Sequence, residues 1–483
     1  MTAGPAPSRA ATAASSGVLG AAQRQARRFL VKGIGVALVG GLLYGVYSAF
    51  ITQAQSEGPW PGWAGEASPL TAFAAVYVVG MLACAVNDTL GAIWCLGLVV
   101  AKGKLRDFWR SLRSKPGGVM VICAVIGGPV ANGAYVVALN MAGPSAAPIT
   151  ALCPVIGAII GRLLFKQVIN LRMGVGIAIC LAASFLIGSS SLGQDAPKGM
   201  ALGLVIAFIA ALGWGIEGAV AGAGTVLIDY QIGIAIRELV AGLGNLVVFV
   251  PVLCLLAGEG SLFGSLLGEA LTDGPSLALF AIAGLACASS FGLWYRGNSM
   301  CGAALGMACN ATYSFWTPLF CWLVVGVGFG QAGQSVPVET WVAAPVMCLG
   351  VLLVAVNPLK LGREAVDEFA GLPVIEPAAA PASDAAGAPA GDTGGRRLPV
   401  NYALLRQVAA LGQAGPDELI AALAGTYGGS KALTRQAVAE ALAAAEKNGV
   451  LAKCALSQDQ AGQVTIVYQP TATGAAMIRR YIG

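Results

Sequence analysis

Over the first 357 residues, long apolar runs alternate with short polar stretches. Each run is close to the roughly 20 residues that a membrane-spanning helix needs. The runs lie at 30–53, 69–100, 117–140, 144–165, 171–190, 199–222, 230–256, 275–296, 300–326 and 338–357, predicting ten transmembrane helices. The stretch from Gly127 to Phe165 reads as two apolar helices joined by a tight Asn140-Met-Ala-Gly-Pro144 turn, with almost no charge before Arg162. A counterpart follows 159 residues later: setting Met141 on Met300 and Gly143 on Gly302 places Tyr135 over Trp294. Positions 157–159 and 316–318 differ in identity, yet the hydropathy agrees throughout. Gly41-Leu-Leu-Tyr44-Gly45 and Ala211-Leu-Gly-Trp214-Gly215 form a second matching pair at a slightly different offset. The pattern predicts two five-helix halves, 30–190 and 199–357.

Charge placement adds an orientation. Arg9, Arg24, Arg27 and Arg28 lie in an Ala/Ser-rich segment, 1–29, expected to be a disordered basic tail. Arg27-Arg28-Phe-Leu-Val-Lys32 approaches a twin-arginine signal, but its spacing is off and the apolar run after it is long enough to span. The loop 101–116 holds Lys102, Lys104, Arg106, Arg110, Arg113 and Lys115 against Asp107. Arg162, Lys166, Arg172 and Arg296 mark the same side. Alternate loops carry Glu57, Glu66, Asp195, Glu259, Glu269, Asp273 and Glu339 against Lys198. Because positive loops stay inside, both termini are expected in the cytoplasm of a multi-pass cell-membrane protein. An odd number of helices per half then makes the second half an inverted repeat. Trp60 and Trp63 are expected as anchors at the outer interface.

Beyond Leu359 the apolar runs stop. Residues 358–398 form a Pro/Ala/Gly-rich linker, and 399–483 read as a small soluble α+β domain. Helices are expected near 402–411 and from Pro416 to about Thr426. Thr434 is placed to cap a third helix that carries Val438, Leu442 and Ala445 on one face and ends at Asn448-Gly449. Val450–Leu456 and Gln463–Tyr468 then alternate as a hairpin, before a last helix with Met477, Ile478 and Tyr481.

Composition narrows the chemistry. With 57% hydrophobic residues, 11% charged residues and 67 glycines, the chain is not an ordinary soluble protein. Histidine is absent, removing the usual proton shuttle, the commonest metal ligand and the Ser-His or Cys-His pair. The 12 cysteines form no Cys-x-x-Cys pair and read as small buried hydrophobes. There is no Walker loop, so ATP is not the expected driver. With no metal set and no close carboxylate pair in view, neither an enzyme nor a cofactor or metal is expected.

The five-plus-five arrangement, Tyr44-Gly45 and Trp214-Gly215, and Tyr135-x-x-Ala-Leu139 followed by Leu152-Cys-Pro154 resemble the EamA-like branch of the drug/metabolite transporter superfamily across about 30–357. Members often carry a glutamate at the end of the fourth helix, where this chain has Phe165-Lys166. The resemblance implies a secondary transporter with a central cavity between the halves. The C-terminal segment, with its Thr434-led helix, hairpin and Thr471-x-x-Gly474, is similar to a winged-helix module. Arg435 on its expected recognition helix is offset by Glu440 and Glu446, and Asp459 lies in the wing. Residues 398–483 hold seven basic and five acidic side chains, whereas DNA binding favours a concentrated basic face. Dimerisation or regulation of the membrane part is therefore expected in preference to nucleic-acid binding.

Candidate site residues follow from burial cost. Asp88, flanked by Asn87, lies 12 residues before Val100, about 18 Å along the helix and near the midplane. A carboxylate there costs roughly 2.5–3.5 kcal/mol on insertion scales, which makes it the expected coupling group. Glu217 shares a face with Trp214 and is the expected partner of Arg237, whereas Arg237 and Glu238, as sequence neighbours, are not expected to pair. Tyr44, Tyr47, Tyr135, Trp214, Trp294, Tyr295, Tyr313 and Trp316, with the polar Asn132, Thr150, Ser290, Asn310 and Thr312, are expected to line an apolar cavity. Gly41-x-x-x-Gly45, Gly157-x-x-x-Gly161 and Gly302-x-x-x-Gly306 read as close helix contacts. Pro129, Pro154, Pro251 and Pro318 mark possible breaks near the midplane. The expected function is transport of a small polar metabolite by alternating access, coupled to a proton or solute gradient. The alternative expectation is a membrane-tethered ligand sensor that regulates transcription through the winged helix.

Overall fold

Within hydrocarbon each backbone N–H and C=O must be satisfied inside its own segment, and the apolar runs accordingly fold as helices. The computed structural model describes residues 9–65, 68–165, 171–190, 199–224, 227–331, 336–355, 369, 371–375, 397–458 and 463–482. Among the described residues, seven helices are long and apolar enough to cross a membrane: Gly17–Ala54, Ala74–Ala101, Lys115–Thr150, Met200–Gly218, Tyr230–Leu256, Gly274–Cys301 and Leu305–Gly328. Leu171–Leu186, Leu262–Thr272 and Val338–Val354 are shorter apolar helices. The chain is thus a helical membrane protein.

The first helix, α1 (Arg9–Ala54), starts well before the expected boundary, so residues 9–29 are helical instead of a tail. Alanine-rich sequence favours this extension, and Val18 and Ala22 are buried on it. A one-turn helix α2 (Trp60–Ala64) follows, then a π-helical turn Ala74–Val78 leading into α3 (Val79–Ala101). Trp60 and Trp63 are buried and meet edge to face at 5.1 Å, with Trp60 5.0 Å from Phe280. They anchor α2 inside the protein, not at a lipid interface. The basic loop contains the short helix α4 (Leu105–Leu112).

Helices α5 (Lys115–Val125) and α6 (Gly133–Ala142) are joined by a π-helical segment, Ile126–Asn132, that contains Pro129. The chain turns at Gly143, whose φ of 59° suits glycine, and continues as α7 (Ala146–Thr150) and α8 (Cys153–Phe165). Then come α9 (Leu171–Ser190), α10 (Met200–Gly224) and α11 (Tyr230–Gly244). A π-helical Asn245–Phe249 connects α11 to α12 (Val250–Leu256). After α13 (Leu262–Thr272) and α14 (Gly274–Cys301), Gly302, with φ 87°, opens α15 (Ala303–Asn310) and α16 (Tyr313–Phe320). The last apolar helix is α17 (Val338–Ala355). The segments expected at 144–165 and 300–326 are therefore interrupted, at Ala151–Leu152 and Ala311–Thr312. Pro154 starts the helix beyond the first break; Pro129 and Pro318 lie inside helical turns, and Pro251 opens α12.

Packing follows a recurring scheme: α1 lies along α14 and α16, α10 lies along α6 and α8, α3 packs on α11, and α9 packs on α17. Glycines permit the closest approaches. A Cβ on Gly41 would fall 2.5 Å from the Asn310 carbonyl, and one on Gly45 would fall 2.7 Å from the Trp316 backbone. The Gly302–Gly306 pair instead serves the turn: a Cβ on Gly306 would strike Asn298 within 2.2 Å. Of Gly157 and Gly161, Gly157 is in ordinary contact with Met307, and the side of Gly161 lies outside the described residues.

The C-terminal region contains α18 (Val400–Leu411), α19 (Pro416–Tyr427), α20 (Arg435–Lys447) and α21 (Ala472–Tyr481). Thr434 caps α20 by accepting from the Ala437 N–H at 3.3 Å, and Val438, Leu442 and Ala445 are buried on one face. Strands β2 (Leu451–Gln458) and β3 (Val464–Pro470) pair antiparallel, slightly longer than expected. Part of the expected linker joins this sheet: β1 (Val374–Ile375) pairs parallel with β2, and Phe369 is buried under Lys453. The apolar Leu372-Pro-Val-Ile375 run explains that docking. Residues 358–368, 370 and 376–396, the hairpin tip with Asp459, and Glu66, Lys166, Asp195 and Lys198 lie outside the described residues.

This region sits at the bundle end that carries the basic loop. Glu440 on α20 meets Lys32 at 3.0 Å and Arg296 at 3.7 Å, Tyr402 meets Ser114 at 3.0 Å, and Asn448 donates to the Ser299 carbonyl at 3.4 Å. Contacts at the opposite end involve acidic residues: Gln53 bonds Glu57, and Asp273 accepts from the Ser276 N–H.

Gly45→Ala should destabilise the protein by about 1–3 kcal/mol, the usual range for overpacking. Thermal denaturation in detergent checks this against Gly35→Ala, where a Cβ meets nothing within 4 Å and no loss is expected, since alanine favours the helix.

Candidate functional site

Among the described residues, four charged side chains are buried between the helices: Asp88 on α3, Glu217 on α10, and Arg237 and Glu238 on α11. The expected Glu217–Arg237 pair is present, with Arg237 Nε 3.2 Å from Glu217 Oε1. Arg237 also pairs with Glu238, Nη1 to Oε1 at 2.7 Å, contrary to expectation. The two Cα–Cβ bonds diverge, but the arginine stem is long enough to bring its planar fork back to its neighbour. Arg237 Nη2 donates to the Gly127 carbonyl at 3.0 Å, and the guanidinium lies 3.5 Å over the Phe291 ring. Trp214 Nε1 donates to the same Gly127 carbonyl at 3.0 Å. That carbonyl lies in the π-helical turn, where the regular bonding ladder is loosened. Tyr295 donates to Glu217 Oε1 at 2.8 Å.

Asp88 is enclosed by donors. Asn87 and Asn132 donate to Oδ1 at 3.0 and 2.9 Å, and Asn245 and Cys84 donate to Oδ2 at 3.2 and 3.4 Å. Asn132 ends one π-helical segment and Asn245 begins another. Bulged turns at these two points therefore aim both amides at one carboxylate. Asp88 and Glu238 come close together: with Cys287 they place one ligand atom each within 4.8 Å of one another. The expectation of no close carboxylate pair is thus overturned, because α3 and α11 approach at glycines that the linear sequence does not bring into register. A Cβ on Gly242 would fall 2.9 Å from the Thr89 nitrogen, and one on Gly91 2.8 Å from Glu238 Oε2.

The aromatic set meets around Tyr44. Its ring lies 4.7 Å from Tyr313, 5.0 Å from Tyr47, 5.3 Å from Tyr135 and 5.8 Å from both Trp214 and Phe291. Trp294 joins at the edge, 5.9 Å from Phe291. These rings are buried and fill the centre instead of lining an open cavity. Tyr47 donates to Asn132 at 3.4 Å, tying the rings to the Asp88 cage, and Ser48 bonds Tyr135 at 2.7 Å. Tyr313 donates to Thr150 at 3.0 Å, so the two interrupted helices touch at their breaks. Asn310 faces α1 at Gly40, and Ser290 donates to the Gly40 carbonyl. Trp316 and Thr312 lie apart from the ring cluster, in an outward hollow with Leu38, Val39 and Leu42.

Phe291, Asn245, Cys84 and Cys287 were not anticipated. Asn245 carried a readable signal, being an amide in the middle of an apolar run. Phe291 and the cysteines are indistinguishable in sequence from packing residues.

In comparisons with known proteins, the chain matches no family model and no curated sequence. A solved structure described as "Crystal structure of protein" is 17% identical over 67% of this chain and 96% of its own, with a TM-score of 0.43. That likeness is too slight to carry an argument.

Removing one partner from a buried charge set leaves the others uncompensated and costs about 3–5 kcal/mol. Arg237→Met should therefore sharply lower the melting temperature. Adding Glu217→Gln and Glu238→Gln to it should recover most of the loss in the same denaturation assay.

Proposed function

We propose that the protein is a secondary transporter of a small polar metabolite, working by alternating access between two inverted five-helix repeats. The observation that carries this reading is the pair of interrupted helices, broken at Ala151–Leu152 and Ala311–Thr312 and joined through Tyr313 and Thr150. Helices broken in corresponding positions of two halves are the common way a transporter exposes backbone groups to a solute near the midplane. Further support comes from the packing: exchanging the halves converts α1 on α14 into α10 on α6, and α1 on α16 into α10 on α8. In this reading ten membrane segments include the broken pair and the shorter apolar helices α9 and α17, with α13 in a connecting loop, and both termini face the cytoplasm of the cell membrane. The ring cluster around Tyr44 is the closed form of the solute path. Tyr44, Tyr47, Asn132, Tyr135, Trp214, Trp294, Asn310 and Tyr313 would meet the solute when the halves part.

The C-terminal region, read as a winged-helix-like module, would regulate or dimerise the membrane part. The DNA-reading alternative has less support. The helix that would enter a groove, α20, lies against the membrane part through Glu440, and Arg435 is engaged by Asp417, Thr465 and Gln463.

Two measurements test this reading. A thermal-shift screen against sugars, amino acids, nucleosides and polyamines should yield a stabilising solute, and proteoliposomes holding that solute should show counterflow. The chain truncated after Leu359 should retain counterflow, whereas its loss together with specific DNA retention by the full chain would favour the sensor. For topology, a cysteine at exposed Arg106 should stay unlabelled by an impermeant thiol reagent in intact cells and react after lysis.

A further inference from the structure

The buried cluster does not balance. Three carboxylates, Asp88, Glu217 and Glu238, face one guanidinium, Arg237, and all four are fully buried. Two uncompensated negative charges at this depth would each cost several kcal/mol, so at least one of them must be offset by something besides Arg237. Its unsatisfied atoms indicate what is missing. Around Asp88 and Glu238 the buried atoms with no hydrogen-bond partner are Glu238 Oε2, Asn87 Oδ1, Asn245 Oδ1 and the hydroxyl Thr89 Oγ1, and on the far side of Arg237 there is Glu217 Oε2. The four carboxylate and amide oxygens are acceptors that no donor reaches, and the cluster as a whole is short of positive charge.

The donors are also unevenly distributed. Asp88 accepts from three amides and a thiol. Glu217 accepts from Arg237 and Tyr295 on Oε1. Glu238 accepts one bond, from Arg237 on Oε1, and its Oε2 faces the Asp88 side across Gly91 with none. The titratable groups set around Glu238 are Asp88 and Cys95 on α3, Glu217 on α10, Cys287 and Tyr295 on α14, and Arg237 beside it. Of the three acids, Asp88 is the best solvated as an anion and Glu238 the worst.

We infer that Glu238 Oε2 holds the exchangeable proton of this membrane domain, with Asp88 as a fixed anion that its amide cage keeps charged. This moves the coupling role from Asp88, the acid nearest the midplane by sequence, to its neighbour across α3 and α11. A sodium ion fits less well, because the lone pairs of Asp88 are occupied by N–H and S–H donors and Cys287 offers a thiol where a hard cation prefers oxygen. When the proton leaves for water, Glu238 becomes a second anion beside Asp88 while Arg237 is still shared with Glu217. Repulsion then favours separating α3 from α11, which pack through Gly242 and Gly91. As a coupling device this rests on the transporter reading, but its test does not.

The test is infrared difference spectroscopy of the full-length protein in liposomes, titrated around pH 7, where solvent-exposed carboxylates are ionised. The expected result is a protonated-carboxyl C=O band that shifts when the protein carries carboxyl-¹³C glutamate and stays put with carboxyl-¹³C aspartate. The band should vanish in Glu238→Gln and persist in Glu217→Gln, and the latter arm together with labelling identifies Glu238 even if Glu238→Gln fails to fold. No band, an aspartate-dependent shift, or loss of the band in Glu217→Gln would overturn the assignment. Bleaching of the band by NaCl at fixed pH would overturn the proton in favour of sodium. Counterflow that persists while the band is absent would sink this inference and leave the transport reading standing.

Discussion

Arg237 is the buried cation about which the described residues of the membrane domain are arranged. A guanidinium loses its hydration when enclosed, and its planar fork must find acceptors in fixed directions. Here they come from four places: the Glu217 carboxylate on α10, Glu238 beside it, the Gly127 carbonyl in a π-helical turn, and the face of Phe291 on α14. One side chain thereby ties α10, α11, α14 and the α5–α6 segment together. None of these elements can slide by a turn without leaving a charge unpaired. The π-helical turn matters for the same reason, since a regular helix would direct the Gly127 carbonyl along its own axis.

Small residues make that convergence sterically possible. Glu217 Oε2 occupies almost the place where a Cβ on Gly127 would sit, and Glu238 Oε2 lies close to the corresponding position on Gly91. Gly284 approaches the Asn87 carbonyl and the Gly91 nitrogen from α14. In a membrane, where lipid is as apolar as leucine, such close packing and the polar contacts it permits drive association more than hydrophobic burial does. The abundance of glycine is in this sense an electrostatic requirement as well as a packing one.

Much of the scaffold was legible from hydropathy, because a spanning helix announces itself by length. The turn at Gly143, its counterpart at Gly302, the Thr434 cap and the Glu217–Arg237 pair all followed from local chemistry. What escaped the sequence reading has specific causes. The Arg237–Glu238 bond depends on side-chain reach, which adjacent backbone vectors do not convey. The Asp88–Glu238 approach depends on the register between α3 and α11, and the strand at Val374–Ile375 on a short apolar run hidden in a linker-like composition. Residues 9–29 were read from polarity as a tail, although alanine content alone favours helix. Trp60 and Trp63 look like interface anchors because tryptophan at a helix end usually is one; here both are buried, Trp60 against Phe280 and Trp63 against Trp60.

The two halves duplicate their scaffold but not their charge. Breaks, glycine turns and packing partners recur on both sides, whereas Glu217, Arg237 and Glu238 all belong to the second half and meet one acid, Asp88, from the first. Arg237 lies about 11 Å along α11 from its first turn at 1.5 Å per residue, and that end adjoins the basic loop through Lys104 and Asp229. The charged cluster therefore sits between the Tyr44 ring cluster and the basic end of the bundle. A symmetric scaffold can rock between two equivalent forms, but equal forms would give no preference to either. Under the proposed transport reading, an off-centre charge whose balance changes with protonation would supply that preference by acting on the packing of α3 against α11.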